Sequence, residues 1–126
     1  MEKNKWKNKN FLQALKHSVD GIKYAFVNER NLKIQLLIGI AVIIVGISLK
    51  LTYVEFGIII LTIGMVIFAE LINTAIEIIL DLYSQEYNEN IKAAKDLASG
   101  AVLLTALVSV IIGLIIFMPK IINILI

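Results

Sequence analysis

Between Phe68 and Asp81 the chain reads FAELINTAIEIILD, which places Glu70, Asn73, Thr74, Glu77 and Asp81 at i, i+3, i+4, i+7 and i+11. At about 100° of rotation per helical residue, all five fall within about 60° of Glu70. Leu71, Ile72, Ile76, Ile78, Ile79 and Leu80 cover most of the remaining surface. Three carboxylates, an amide and a hydroxyl thus form one line down an otherwise lipid-compatible helix. A carboxylate inside a bilayer costs at least roughly 2–3 kcal/mol. Interhelical hydrogen bonding would account for Asn73 and Thr74. Three acids on one line repel each other and call for cations. Hard cations such as Mg²⁺ take oxygen ligands, often one or two carboxylates together with substrate phosphates. A further carboxylate, partly withdrawn from water, can act as a general base. Those are the parts of phosphoryl transfer. The same line would also suit a small proton- or cation-coupled transporter, and the stripe by itself leaves both open.

The other polar residues favour phosphate chemistry. The segment Tyr83–Lys95 (YSQEYNENIKAAK) is polar, too short for a domain, and ends in Lys95-Asp96 at the start of a long apolar run. Lys95 can neutralise a phosphate, and Asp96 can bind a nucleotide hydroxyl or a metal; snorkelling and N-capping are the plainer roles for the same pair. Asn28-Glu29 supplies another acid ahead of the first apolar stretch. The chain has no G-x-x-x-x-G-K-[ST], no G-x-G-x-x-G and no soluble-kinase motif set, so any kinase activity is built on a different scaffold.

The elements that must position these residues follow from the charges. Residues 34–49 carry none, Phe56–Ala69 carry none, and Leu97–Pro119 carry none. About 20 apolar residues cross a membrane, and lysines at the ends can snorkel. The pattern predicts three transmembrane helices near 32–51, 54–80 and 97–119. The first is too long and too late for a signal peptide. With the N-terminus cytoplasmic, that side holds ten of the twelve basic residues, leaving Lys50 and Lys120 outside, so the N-terminus is expected inside and the C-terminus outside. Phe11, Leu15, Val19, Ile22 and Phe26 recur at helical spacing. They predict an amphipathic surface helix over 11–28, lying on the inner membrane face with its lysines toward anionic lipid. Residues 1–10 read as a disordered basic tail with Trp6 as an interface anchor. One domain spans 1–126.

Composition agrees. Of 126 residues, 59% are hydrophobic and 17% charged, with one histidine and no cysteine. A soluble domain carries about a quarter charged residues, so this chain cannot wet its own surface. Thiol catalysis, disulfide scaffolds and zinc-finger sites are excluded. The basic residues flank membrane spans, which argues against nucleic-acid binding.

Glu70-Leu-Ile-Asn-Thr-Ala-Ile-Glu77, Asp81, Glu86-Tyr87, Ala94-Lys95-Asp96 and Ser99-Gly-Ala-Val-Leu103 resemble the prokaryotic diacylglycerol kinase family. Gly21-Ile-Lys-Tyr-Ala-Phe-Val-Asn28-Glu29 looks like that family's surface helix, so the resemblance runs from about Phe11 to the end of the third span. It implies an all-α membrane protein: a homotrimeric lipid kinase with active sites shared between subunits at the cytoplasmic interface of the bacterial plasma membrane. Carried over by position, Glu70 is the general base on the lipid hydroxyl and Asn73 helps arrange the site. Glu29 and Glu77 hold Mg²⁺ with ATP. His17, Glu86, Tyr87, Asn88, Lys95 and Asp96 surround the nucleotide, and Ser18 and Ser99 lie near the lipid. The enterobacterial branch has arginine, tyrosine and histidine where this chain has Asn10, His17 and Asn88. The Leu-Ile-Asn-Thr and Ala98-Ser-Gly-Ala-Val forms look more like the Gram-positive branch, which phosphorylates undecaprenol; the alternative acceptor is diacylglycerol.

Overall fold

The structure, a computed structural model, describes residues 5–126. It has four helices: α1 (Phe11–Asn28), α2 (Arg30–Ser48), α3 (Tyr53–Tyr83) and α4 (Glu89–Leu125). Among the described residues there is no strand. The last three helices are each long and apolar enough to cross a membrane. Few apolar side chains are buried: Ala25, Leu32, Leu51, Ile59 and Ala98. Large apolar residues instead stand exposed along every helix, as a lipid-facing chain requires. Residues 1–4 of the expected tail lie outside the described residues. Beyond them, the Lys9 N–H donates to Gln13 Oε1 at 2.8 Å and the His17 ring contacts Asn8 Oδ1, so the end of the tail is tied to α1. Trp6 is exposed.

The elements begin and end for local reasons. Asn10 caps α1, accepting from the Gln13 N–H at 2.9 Å. Glu29 alone separates α1 from α2, with extended backbone (φ −106°, ψ 110°), so the chain turns there without glycine or proline. Asn28 Nδ2 donates to the Tyr24 carbonyl in the last turn of α1, and Lys33 Nζ to the Val27 carbonyl, which the break leaves free.

α2 stops at Ser48, three residues before the end of the expected span at 51, because Lys50 takes a left-handed conformation (φ 56°). The Leu51 N–H then donates to the Gly46 carbonyl and the Lys50 N–H to that of Ile47, each at 3.1 Å. This is a Schellman motif. Leu51 folds back over Gly46, where an added Cβ would lie 2.8 Å from Leu51 Cδ1 and 3.2 Å from Phe56 Cε1. A side chain at 46 would therefore displace Leu51 from its seat over the helix end. Position 50 is where glycine is absent although the backbone favours it. Lys50→Gly is expected to stabilise the fold by about 0.5–1 kcal/mol, read as a higher unfolding midpoint in detergent.

Thr52 caps α3, accepting from the Glu55 N–H at 3.2 Å. The Glu55 carboxylate reaches across to Lys120 Nζ on α4 at 3.2 Å. α4 starts at Glu89, well before the apolar run at 97, because Asn88 Oδ1 accepts from the N–H groups of Asn90 (2.8 Å) and Ile91 (3.3 Å). With 31 and 37 residues, α3 and α4 are about 46 and 55 Å long. Both exceed the roughly 30 Å apolar thickness of a bilayer. The excess carries Glu77, Asp81, Lys92, Lys95 and Asp96. α3 packs against both α2 and α4 and is the centre of the helix packing.

Candidate active site

The buried residues of α3 are Ile59, Thr62, Glu70, Asn73 and Thr74. Four of the five are polar. The helix buries the upper part of its polar stripe while Ile58, Ile60, Ile72, Ile78 and Ile79 stand exposed, the reverse of a helix in a soluble protein. Burial falls steadily along the stripe: Glu70 is only 2% exposed, Glu77 is half-buried, and the Asp81 side chain is 61% exposed. A single helix thus offers carboxylates at three levels of water access.

Each of the three has its own partner. Gln35 Nε2, on α2, donates to Glu70 Oε2 at 3.4 Å. Asn73 Nδ2 donates to Glu77 Oε1 at 3.3 Å. Lys95 Nζ, on α4, pairs with Asp81 Oδ1 at 2.6 Å. Gln35 Oε1, Asn73 Oδ1 and Thr74 Oγ1 are buried without a hydrogen-bond partner. Orphaned polar atoms of this kind cost about 1–3 kcal/mol each; three of the four among the described residues lie on or beside the stripe, and the fourth is Glu55 Oε2.

Glu29, at the α1–α2 break, lies with Glu77 within electrostatic reach of Glu70. Its carboxylate has no hydrogen-bond or cationic partner among the described residues, while Glu77 has only the Asn73 amide. Among the described residues no group of three or more acid or histidine side chains forms a metal-sized cluster. Carboxylate oxygens such as those of Glu29 and Glu77 are of the donor type that Mg²⁺ takes together with substrate phosphates.

The α3–α4 connection forms an open polar hollow of about 610 Å³, lined by Asp81, Glu86, Tyr87, Asn88, Lys95 and Asp96 among others. All six are residues that the sequence singles out. Lys92, which it marks only as one charge among others, is there too and pairs with Asp96 Oδ2 at 2.5 Å. The Asn88 amide oxygen is already engaged as the cap of α4. A second, mostly apolar groove of about 290 Å³ runs between α1 and α3, with Ser18, Gly21 and Ala25 on one wall and Leu71, Thr74 and Ile78 on the other. Ser18 Oγ donates to the Ala14 carbonyl at 2.8 Å. His17 and Ser99 line neither hollow; Ser99 Oγ donates to the Asp96 carbonyl at 3.3 Å, within α4.

The residue missed is Gln35. It is the one side-chain amide in the uncharged stretch 34–49, and a polar group inside a membrane helix is a functional candidate by default.

Comparison with known proteins gives one family model, described as prokaryotic diacylglycerol kinase, which matches residues 16–117. The chain is 42% identical to an undecaprenol kinase of Bacillus subtilis, over 87% of this chain and 89% of that one. It is 37% identical to a diacylglycerol kinase of Synechocystis, over 100% of this chain and 73% of that one. A diacylglycerol kinase of Escherichia coli is 28% identical over 79% of this chain and 82% of its own.

Proposed function

The chain belongs to the prokaryotic diacylglycerol kinase family, and on that premise we propose that it transfers the γ-phosphate of Mg-ATP to the primary hydroxyl of undecaprenol, giving undecaprenyl phosphate. The observation that carries the mechanism is the graded burial of the stripe: a carboxylate withdrawn from water at Glu70, and a lysine at the open rim. In this reading, Glu70 takes the proton of the lipid hydroxyl. The hydroxyl oxygen forms a bond to the γ-phosphorus as the bond to the β–γ bridging oxygen breaks, and ADP leaves with that electron pair. Lys95 exchanges Asp81 for phosphate oxygens and balances charge as it develops. Asn73 holds the Glu77 carboxylate in place.

Glu29 and Glu77 would hold Mg²⁺, which supplies neutralisation of the phosphate oxygens. Asp96, Glu86, Tyr87 and Asn88 line the hollow that would receive the nucleotide; the resemblance adds His17, which stands on α1 outside that hollow. Ser18 and Ser99 belong to the lipid side. Phe11, Leu15, Val19 and Ile22 are exposed on α1, which supports a surface helix resting on the cytoplasmic face of the plasma membrane. The cytoplasmic N-terminus rests on the distribution of lysine and arginine. A homotrimer with shared sites follows from the resemblance, and the wealth of exposed apolar surface is compatible with it.

Undecaprenol is favoured by the identity with the Bacillus subtilis relative and by the Leu71-Ile72-Asn73-Thr74 form of the stripe. Diacylglycerol is the second reading, favoured by the Synechocystis relative that matches across the whole chain. A mixed-micelle assay with Mg-ATP decides between them. Polyprenol is expected to be phosphorylated with the higher kcat/KM; preference for diacylglycerol would reverse the substrate assignment, and transfer to neither would end the kinase reading.

A further inference from the structure

We infer that Gln35 is a positioning residue for the Glu70 carboxylate, serving it in both of its protonation states. The inference rests on the kinase reading with Glu70 as base, and extends it to a residue on a different helix. Three observations converge. Glu70 is almost fully buried, and the Gln35 amide is its one side-chain hydrogen-bond partner among the described residues. That bond comes from α2, so it fixes the carboxylate across a helix–helix interface rather than along α3. The other end of the same amide, Gln35 Oε1, is buried with no partner at all.

A glutamine suits this place because its amide is both donor and acceptor. While Glu70 is ionised, Nε2 donates to Oε2, which leaves Oε1 of Glu70 as the free oxygen for the acceptor hydroxyl. Once Glu70 has taken the proton, its carboxylic acid becomes a donor. A half-turn of the Gln35 amide then presents Oε1, the orphaned acceptor, to that acid. One side chain thereby satisfies the base before and after proton transfer without drawing water into the bilayer. The 3.4 Å separation is long for such a bond, as is common for catalytic contacts before substrate closes the site.

Gln35 stands at one end of a mainly apolar cleft of about 420 Å³ that continues between the helices past Gly39 and Ile63 toward Gly113. Leucine there would keep the packing of α2 while removing both hydrogen-bonding functions. Glutamate is nearly isosteric, and beside Glu70 the two carboxyls share one proton, which preserves a donor.

The test measures kcat and KM for Mg-ATP in mixed micelles for the unaltered protein, Gln35→Leu and Gln35→Glu, with folding followed by circular dichroism and elution volume. Gln35→Leu is expected to lower kcat about tenfold to a hundredfold with KM for Mg-ATP changed less than about twofold. Gln35→Glu is expected to recover most of the loss. Equal kcat for Gln35→Leu and the unaltered protein would overturn the positioning role. So would equal losses in Gln35→Leu and Gln35→Glu, since a purely steric role does not distinguish a donor from a methyl group. If the unaltered protein phosphorylates no lipid alcohol, the kinase reading fails by itself, and that result is separate from any difference between variants.

Discussion

Glu70→Gln is expected to lower kcat for lipid phosphorylation by about a thousandfold while leaving a folded protein of unchanged oligomeric size. The substitution keeps shape and volume and removes only the capacity to take a proton. Its stability is expected to hold or rise, because the change replaces a buried ionisable group, whose side-chain neighbour is a neutral amide, with one that cannot ionise. Activity and stability therefore move in opposite directions, a combination that loss of structure cannot produce. Midpoint of unfolding and kcat, measured on the same preparation, check it. Residual activity within about tenfold of the unaltered protein would put the base elsewhere. A transporter using the same stripe would instead show ion flux in liposomes with no dependence on ATP.

Lys95→Met is expected to reduce kcat/KM for Mg-ATP by at least about a hundredfold, the scale on which loss of one preorganised charge-stabilising donor is felt. Asp81→Asn is expected to cost less than about fivefold. The asymmetry comes from exposure. The Lys95 and Asp81 side chains are 40% and 61% exposed, and an ion pair so open to water contributes about 0–1 kcal/mol. Phosphate oxygens, more highly charged than one carboxylate, displace Asp81 easily. In that view Asp81 is a resting partner that keeps the ammonium extended into the hollow. Comparable losses in the two variants would show that the carboxylate acts during turnover and not only between turnovers.

Much of the site was legible in the sequence because it contradicts its background. Glu70, Asn73, Glu77 and Asp81 stand out at a helical period among isoleucines and leucines, and a membrane helix has no surface on which to dismiss them as solvation. Asp96 and Lys95 were legible for a similar reason, falling at the mouth of a 23-residue apolar run, Leu97–Pro119. Gln35 was not, since reading spans by charge treats a neutral amide as if it were apolar. The pairings were also out of reach. That Lys95 meets Asp81, and Lys92 meets Asp96, depends on how α3 and α4 are staggered, which no period within either helix encodes. The end of α2 at Ser48 is not signalled in the sequence, because the left-handed residue after it is a lysine where a glycine is usual.

The Glu55–Lys120 contact bears on how such a chain is laid into its bilayer. With the orientation proposed above, α4 is delivered after α3, and Lys120 is a cation that must be carried through hydrocarbon to the far side. Glu55 is already waiting at the head of α3, with both side chains about three-quarters buried once they meet at 3.2 Å. The acid gives the translocated lysine a counter-ion on arrival. It also resists the sliding of α4 by a helical turn, roughly 5.4 Å, that would pull Lys95 away from Asp81 at the opposite membrane face. On that orientation, a contact far from the polar hollow would be the stop that sets where the opposite ends of α3 and α4 come to rest.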